Sequence, residues 1–448
     1  MAPRPAFLRL GFLLFAMSLA AAGAQPAAAP EPDAQSNPPR NLLSRELPAW
    51  LDLGVNVRTR VERRDGLSFQ APFTDGLLLN RARFEAAVKP SQRWRVRLQL
   101  QDSRSAWLDP SRSRTGTDNP LDIRQLHLEV GAEDGDGWQA RMGRQLLIFG
   151  KERVLAERNW NNVSPSWDAV RVGYGRGGDR IDAFAASQVQ NDPGDVDAAL
   201  SGADIAGFYA AVGSLLPHGR IEPYWFYNDR PRMQGVLVAH DAGVHTFGAR
   251  AGGTVGAHWD YDAELTCQRG HAPQVSQRGW LGYAEVGFQP TEKHWGPRLF
   301  TVYEEASGDK DPNDGRVGTY DAGFGKRHSH LGEADAVGRS NLRTLESGVE
   351  TTPAQALQLR VVYHHFRTAR RRDGLYSTNG LLAVAAPVGR VSSSRIGDEV
   401  DLLMEWSPNR VWLLEGGVGR FFPGAWLQQA LGSAPQRGIV YVSLEWTL

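Results

Sequence analysis

Nearly all of the positive charge in this 448-residue chain is arginine, the lysines being Lys89, Lys151, Lys293, Lys310 and Lys326 alone. A guanidinium presents a planar fork of donors that suits carboxylate and phosphate, whereas lysine is the commoner choice for plain solubility. Arg58, Arg60, Arg81, Arg83, Arg95, Arg97, Arg141, Arg171, Arg250 and Arg360 recur on the polar side of two-residue alternations. Stacked on one wall, they could hand an anion from one guanidinium to the next, as arginine rings do in anion pores. The same segments carry Glu62, Glu85, Glu129, Asp262, Glu264, Glu285, Glu399, Asp401 and Glu405, and cross-strand pairing would instead make a rigid, solvated wall. Both arrangements can coexist. Basic residues cluster early in the chain and acidic ones late, so opposed walls would set up a transverse field that orients a solute.

A second group lies off the alternating segments. Arg144 is followed by Lys151, Arg153, Arg158 and Trp160 with several asparagines, in a stretch from Gly150 to Pro165. Folded inward, this stretch would narrow a pore, offering arginines to carboxylates and Trp160 to the face of a sugar ring; folded outward, it is an ordinary external loop. Asp309, Asp311, Asn313 and Asp314 precede Gly315 in a calcium-loop-like run. The glycine sits one position late and no distal glutamate follows at the right spacing, so an acidic loop is the plainer reading. His364 and His365 are adjacent on an alternating segment and must point to opposite faces, whereas His328 and His330 could share a metal but lack a third ligand. No nucleotide, zinc-protease or nucleophile-elbow motif stands in a supporting context, and no cofactor is expected.

The elements that position these residues repeat one design of alternating strand, turn, alternating strand and loop. Leu53, Val55, Val57, Thr59 and Val61 share one face, with Asn56, Arg58, Arg60 and Glu62 on the other. Leu78 to Lys89, the stretch beginning at Trp94, and segments around Val170, Tyr261 and Val400 keep the rule. A soluble sandwich would not tolerate so charged a buried face, whereas a transmembrane antiparallel β-barrel turns the apolar face to lipid and the charged face to a wet lumen. Short turns such as Lys89-Pro90-Ser91-Gln92 and Ser407-Pro408-Asn409 alternate with long connections such as 308–338 and 368–393. That alternation predicts about eighteen strands, with periplasmic turns and extracellular loops. Trp50, Trp94, Trp107, Trp138, Trp280, Trp406 and Trp446 fall near strand ends, where interfacial girdles belong.

Residues 1–24 have the form of a signal peptide: Arg4 and Arg9, an apolar run from Leu10 to Ala22, then Ala22-Gly23-Ala24. An Ala/Pro-rich leader is expected over 25–46 and the barrel over 47–448. Fifty basic and fifty acidic residues argue against nucleic-acid binding, and Cys267, the lone cysteine, excludes an internal disulfide. Val440, Val442, Leu444, Trp446 and Leu448 share a face, so the chain ends inside a strand that must pair with the first. Outer-membrane proteins commonly end in an aromatic residue read by the barrel-assembly machinery; here Trp446 stands two positions before the terminal Leu448.

Several longer motifs resemble the alginate export proteins of bacterial outer membranes. They are Gly143-Arg144-Gln145 through Gly150 and Arg153 to Asn159-Trp160-Asn161-Asn162, Trp167-Asp168-Ala169-Val170-Arg171, and His245-Thr246-Phe247-Gly248-Ala249-Arg250. Tyr261-Asp262-Ala263-Glu264, Ala306-Ser307-Gly308-Asp309, Gly397-Asp398-Glu399-Val400-Asp401 and Phe421-Phe422-Pro423-Gly424 complete the set. The resemblance implies a monomeric outer-membrane barrel, embedded among lipid and lipopolysaccharide, whose arginine-lined constriction passes an anionic polysaccharide outward, with periplasmic export partners. A general or anion-preferring porin for small solutes or oligosaccharides is the alternative, and an outer-membrane enzyme comes third. Direction of transport is not encoded, because such a pore carries no energy source.

Overall fold

The computed structural model describes residues 43–448, apart from 70–73, 109–115, 132–134, 230–231, 234–235, 238–241, 273–274, 292–294, 312, 327 and 329. The expected signal peptide and most of the expected leader therefore lie outside the described residues. The last residues of that leader do not: Ser44–Glu46 form a 3-10 turn, and the Ser44 hydroxyl accepts from Leu53 N (2.9 Å) and donates to Leu53 O (3.0 Å).

Eighteen antiparallel strands follow and close into a barrel. They are β1 (Leu51–Asp65), β2 (Thr74–Ser91), β3 (Trp94–Ala106), β4 (Asn119–Gly131), β5 (Gly137–Gln145) and β6 (Trp167–Arg176). Next come β7 (Asp179–Gln190), β8 (Ala198–Ala211), β9 (Gly219–Asn228), β10 (Gly243–Val255), β11 (Trp259–Ala272) and β12 (Trp280–Phe288). The last are β13 (Arg298–Ala306), β14 (Leu342–Ala354), β15 (Leu357–Thr368), β16 (Arg395–Trp406), β17 (Trp412–Pro423) and β18 (Arg437–Thr447). Each pairs with its sequence neighbour, and β18 pairs with β1 from Asn56↔Thr447 to Asp65↔Gly438, leaving no free edge. No described helix is long and apolar enough to cross a membrane; the strands span it.

Alternation assigns the two faces. On β1, Val57, Thr59 and Val61 are exposed while Arg58, Arg60 and Glu62 are buried. On β18, Val440, Val442 and Leu444 face out while Tyr441 and Ser443 face in. Exposed Trp50, Trp94, Trp138, Trp259, Trp406 and Trp412 stand at the short-turn end, and Trp107 and Trp280 at the other, so the belt is densest on the periplasmic side. The long connections gather at the opposite end. There α1 (Ala425–Leu431) buries Trp426 and Leu427 in an apolar cluster with Phe366, Ile396, Phe421, Leu331 and Val337.

Alternation alone did not foresee that cluster. Phe366 and Phe421 occupy inward positions, as do Phe184, Tyr209, Tyr224 and Phe226 on β7 to β9, because folded-in chain covers them and replaces the water that charged neighbours would need.

Candidate functional site

Two connections turn into the barrel rather than away from it. The 146–166 segment joins β5 to β6; the 307–341 segment joins β13 to β14.

The first is gripped from the β1–β2 wall through its backbone. Arg58 donates to the carbonyls of Asn159 (2.8 Å), Trp160 (3.1 Å) and Asn161 (3.1 Å). Arg60 donates to Trp160 O (2.7 Å) and to Glu62 (2.6 Å), with its guanidinium 3.6 Å from the Trp160 ring centroid. Arg81 and Arg83 both reach the Asn159 side-chain oxygen at 3.0 Å. Asn162 spreads its amide over Asn80 O, Arg104 O and Thr117 O. Carbonyls and amide oxygens carry only partial charge, yet four guanidiniums converging on three consecutive residues fix a chain that has no regular hydrogen bonding of its own.

The other foot stands on the far wall. Arg153 donates to Asp262 and Glu264 of β11, each at 2.9 Å, and lies 3.4 Å from the Tyr283 ring. The two carboxylates outweigh the burial that would push the guanidinium down, so Arg153 stays charged. Asp262 also receives Arg250, which reaches Glu222 at 2.7 Å. Tyr209 and Tyr224 donate to Glu222 (2.8 Å) and Glu264 (2.6 Å). With β1 and β11 half a circuit apart among eighteen strands, the 146–166 segment crosses the lumen.

The second segment meets the first in mid-lumen. Arg158 donates to Gly323 O (3.1 Å) and Gly325 O (3.0 Å), Lys326 N donates to Glu152 O (2.7 Å), and the Trp160 ring stacks on His328 at 3.7 Å. A Cβ at Gly325 would collide with Arg153 O. This segment leans on β16: Ala334 N donates to Glu399 (2.7 Å) and Glu333 N to Asp401 (3.2 Å). Its approach to β17 requires Gly419, where a Cβ would lie 2.8 Å from the Glu333 Cβ. His328 sits between Glu333 (2.9 Å) and Asp335 (3.1 Å). Burial would lower its pKa, but the two carboxylates prevail and raise it to about 9, and His328 holds Asp335 down to about 2 against burial.

The remaining arginines stay on the wall. Arg95, Glu129, Arg141 and Arg171 are successive partners in one row across β3 to β6. Glu129 lies 3.4 Å from Arg95 and 3.1 Å from Arg141, Arg97 lies 3.6 Å from Glu85, and Arg171 holds Asp182 at 2.9 Å. Arg95, Arg97 and Arg141 retain partial exposure on the lumen side of the crossing segments, toward the short-turn end. Arg360 pairs with Glu346 at 3.1 Å. The expected cross-strand pairing is thus present along this wall, each of these arginines lying against a carboxylate.

Arg144 does not join them. It stands three residues from Arg141, so the period of two turns it outward with Met142, where it holds Asp168 at 2.9 Å. The acidic run is spent locally: Asp311 caps Asn313 N (3.1 Å), Asp314 caps Arg316 N (2.9 Å), and Asp309 N donates to Asp373 (2.7 Å). No group of three or more metal-ligating side chains occurs among the described residues. His364 and His365 take opposite faces; His364 reaches Asp401 (3.1 Å) within, and His365 reaches Asp398 (2.6 Å) outside.

Sequence reasoning passed over Asn159, Asn162, Arg124 and Glu157. Arg124 donates to Gln99 (2.6 Å) and Glu157 (2.7 Å), and with Arg83 it overcomes the burial that would raise the Glu157 carboxyl, holding it below the usual range. The Asn159-Trp160-Asn161-Asn162 run was the available signal, since asparagine side chains make the backbone-like bonds that irregular chain needs.

Solved structures similar to this one include outer-membrane proteins. OccAB2 of Acinetobacter baumannii superposes with a TM-score of 0.59 at 9% identity, over 89% of this chain and 98% of that one. OccD3 (OpdP) of Pseudomonas aeruginosa gives 0.57 at 9%, over 89% and 91%, and OpdK of Pseudomonas aeruginosa, solved with vanillate, 0.58 at 10%, over 89% and 98%. Identity so low shows a shared fold alone. No curated protein matches the sequence. The family model described as alginate export matches residues 49–440. Closed barrel and nearly whole-chain match agree, and the chain belongs to the alginate export family as a channel of the bacterial outer membrane.

Proposed function

We propose that the channel conducts an anionic polysaccharide of the polyuronate class. The observation that carries this reading is the row Arg95–Glu129–Arg141–Arg171, flanked by Arg97, which leaves guanidinium surface facing the lumen between the short-turn end and the crossing segments. A uronate carboxylate passing along it exchanges one bidentate donor for the next without full rehydration. Glu405, Glu415 and Glu445 stand on β16 to β18, the arc that meets β1 at the closing seam, and give that arc the opposite sign, which orients the chain of sugars against the basic side. Outward transport, periplasmic partners that supply the polymer, and assembly as a monomer belong to the same proposal.

Planar-bilayer conductance tests it. An anion-selective current blocked from the short-turn side by oligouronates supports the reading. Arg97→Gln with Arg141→Gln relieves the block roughly tenfold or more, and outward-facing Arg144→Ala leaves it unchanged. Weak selectivity with no block sinks polymer conduction. That result favours the second reading, a porin for small carboxylates, for which the crowding of the lumen by two anchored segments already speaks. Vanillate, bound by the OpdK structure, is a suitable probe for it.

A further inference from the structure

The outer surface at the long-loop end carries a row of three arginines at one height. Arg343 of β14 is the register partner of Arg367 of β15, which in turn is the partner of Arg395 of β16. All three point away from the lumen, directly above the lipid-facing Leu345, Val361, Tyr363 and Leu402. Like charges set side by side in a sheet are destabilising unless something neutralises them. The ends of the row have partial answers: Arg343 pairs with Glu305 at 2.8 Å and Arg395 with Asp398. Arg367, in the middle, donates from Nε to His365 Nε2 (2.9 Å), which brings no negative charge.

The connection that follows Arg367 adds to the charge. Arg370, Arg371 and Arg372 are exposed on a turn whose backbone is braced from beneath. Asn341 holds Arg370 N (2.7 Å) and Arg370 O (3.0 Å), and the Trp426 indole donates to Arg371 O (3.0 Å). The next residue, Asp373, could have neutralised the run, but it is turned inward. Its carboxylate accepts from Asp309 N (2.7 Å), the Thr319 hydroxyl (2.6 Å) and the Tyr376 hydroxyl (2.7 Å). The side chains are thus held ready on the surface with their nearest acid withheld.

We infer that this patch, centred on Arg343, Arg367 and Arg395 with Arg370 to Arg372 above them, binds the phosphorylated headgroup of the outer-leaflet glycolipid, lipid A. A phosphate monoester carries close to two negative charges and three acceptor oxygens, which answers a row of forks. The lipid is favoured over the transported polymer because the row stands on the outward face, at the boundary between apolar band and headgroups, and not on the lumen wall.

Native mass spectrometry of the full barrel released from detergent, incubated with bis-phosphorylated lipid A, tests this. The wild type retains the lipid, retains lipid A stripped of its phosphates roughly tenfold less, and Arg343→Gln/Arg367→Gln/Arg395→Gln loses retention of the phosphorylated form by a similar factor. Heat-modifiable gel mobility and unchanged conductance show that the variant is folded. Equal retention of both lipid forms by the wild type overturns the inference whatever the variant does. Undiminished retention by a folded variant does so too, and displacement of lipid A by oligouronate reassigns the patch to the polymer.

Discussion

At the scale of residues, Trp160 is the keystone between the two inward segments, with Arg60 over one side and His328 stacked against the ring. Trp160→Leu keeps an apolar side chain but removes the π face and much of the bulk, and is expected to lower stability against urea by about 1–2 kcal/mol or more and to increase current noise in single-channel records. His328 makes the same contact pH-dependent. Its folded pKa of about 9 lies above the ordinary histidine value, so its contribution is complete below about 6.5 and is lost as pH rises through about 9. Hydrogen exchange in the 307–341 segment should accelerate beyond simple base catalysis across that window. His328→Gln should abolish the extra acceleration; if it persists, the device lies elsewhere. Asn159→Ala leaves Arg81 and Arg83 facing each other without their shared acceptor, and should cost about 2–3 kcal/mol in the same denaturant titration.

At the scale of elements, strand faces were legible in the sequence because lipid imposes a two-state choice on every outward position; Val57, Thr59 and Val61 against Arg58, Arg60 and Glu62 read directly as a wall. Loop lengths told which end is which for the same reason, since turns need few residues and lids need many. What sequence could not supply is where a long connection goes. The arginines of β1 and β2 meet carboxylates, as Arg60 meets Glu62, but Arg58, Arg60 and Arg81 also meet main-chain carbonyls of 159–161, a bond that leaves no trace in the type of the accepting residue. The inward Phe184, Tyr224 and Phe226 were illegible because they pack in one cluster with Phe149, a contact between the wall and a folded-in connection that strand alternation does not encode. Arg144 was drawn into the site by the motif around it, although its spacing from Arg141 already set it outside. If the crossing segment governs the aperture, Asp262→Asn with Glu264→Gln releases the Arg153 foot. Single-channel conductance should then rise while the strands stay intact by circular dichroism; unchanged conductance would place the narrowing in the 307–341 segment.

At the scale of the whole molecule, a barrel with net zero formal charge still segregates its charges, basic on β1 to β6 and acidic on β16 to β18, but on neighbouring arcs that meet at the β18–β1 pair and not on the opposed walls expected from the sequence. Screening weakens such a field steeply, because the Debye length falls from about 10 Å at 0.1 M salt to about 3 Å at 1 M. Anion preference, read as a reversal potential under a salt gradient, should therefore be pronounced at 0.1 M and fade toward 1 M.

The 146–166 arch also has a history written into its order in the chain. One foot stands on β1 and β2, which precede it; the other stands on β11 and on the 307–341 segment, which are made later. The first foot can be set while the sheet is still an open ribbon, whereas the second has no footing until curvature carries β11 around to face it. Anchoring of the arch at both feet, and the narrowing that goes with it, therefore waits on strands made after the arch itself.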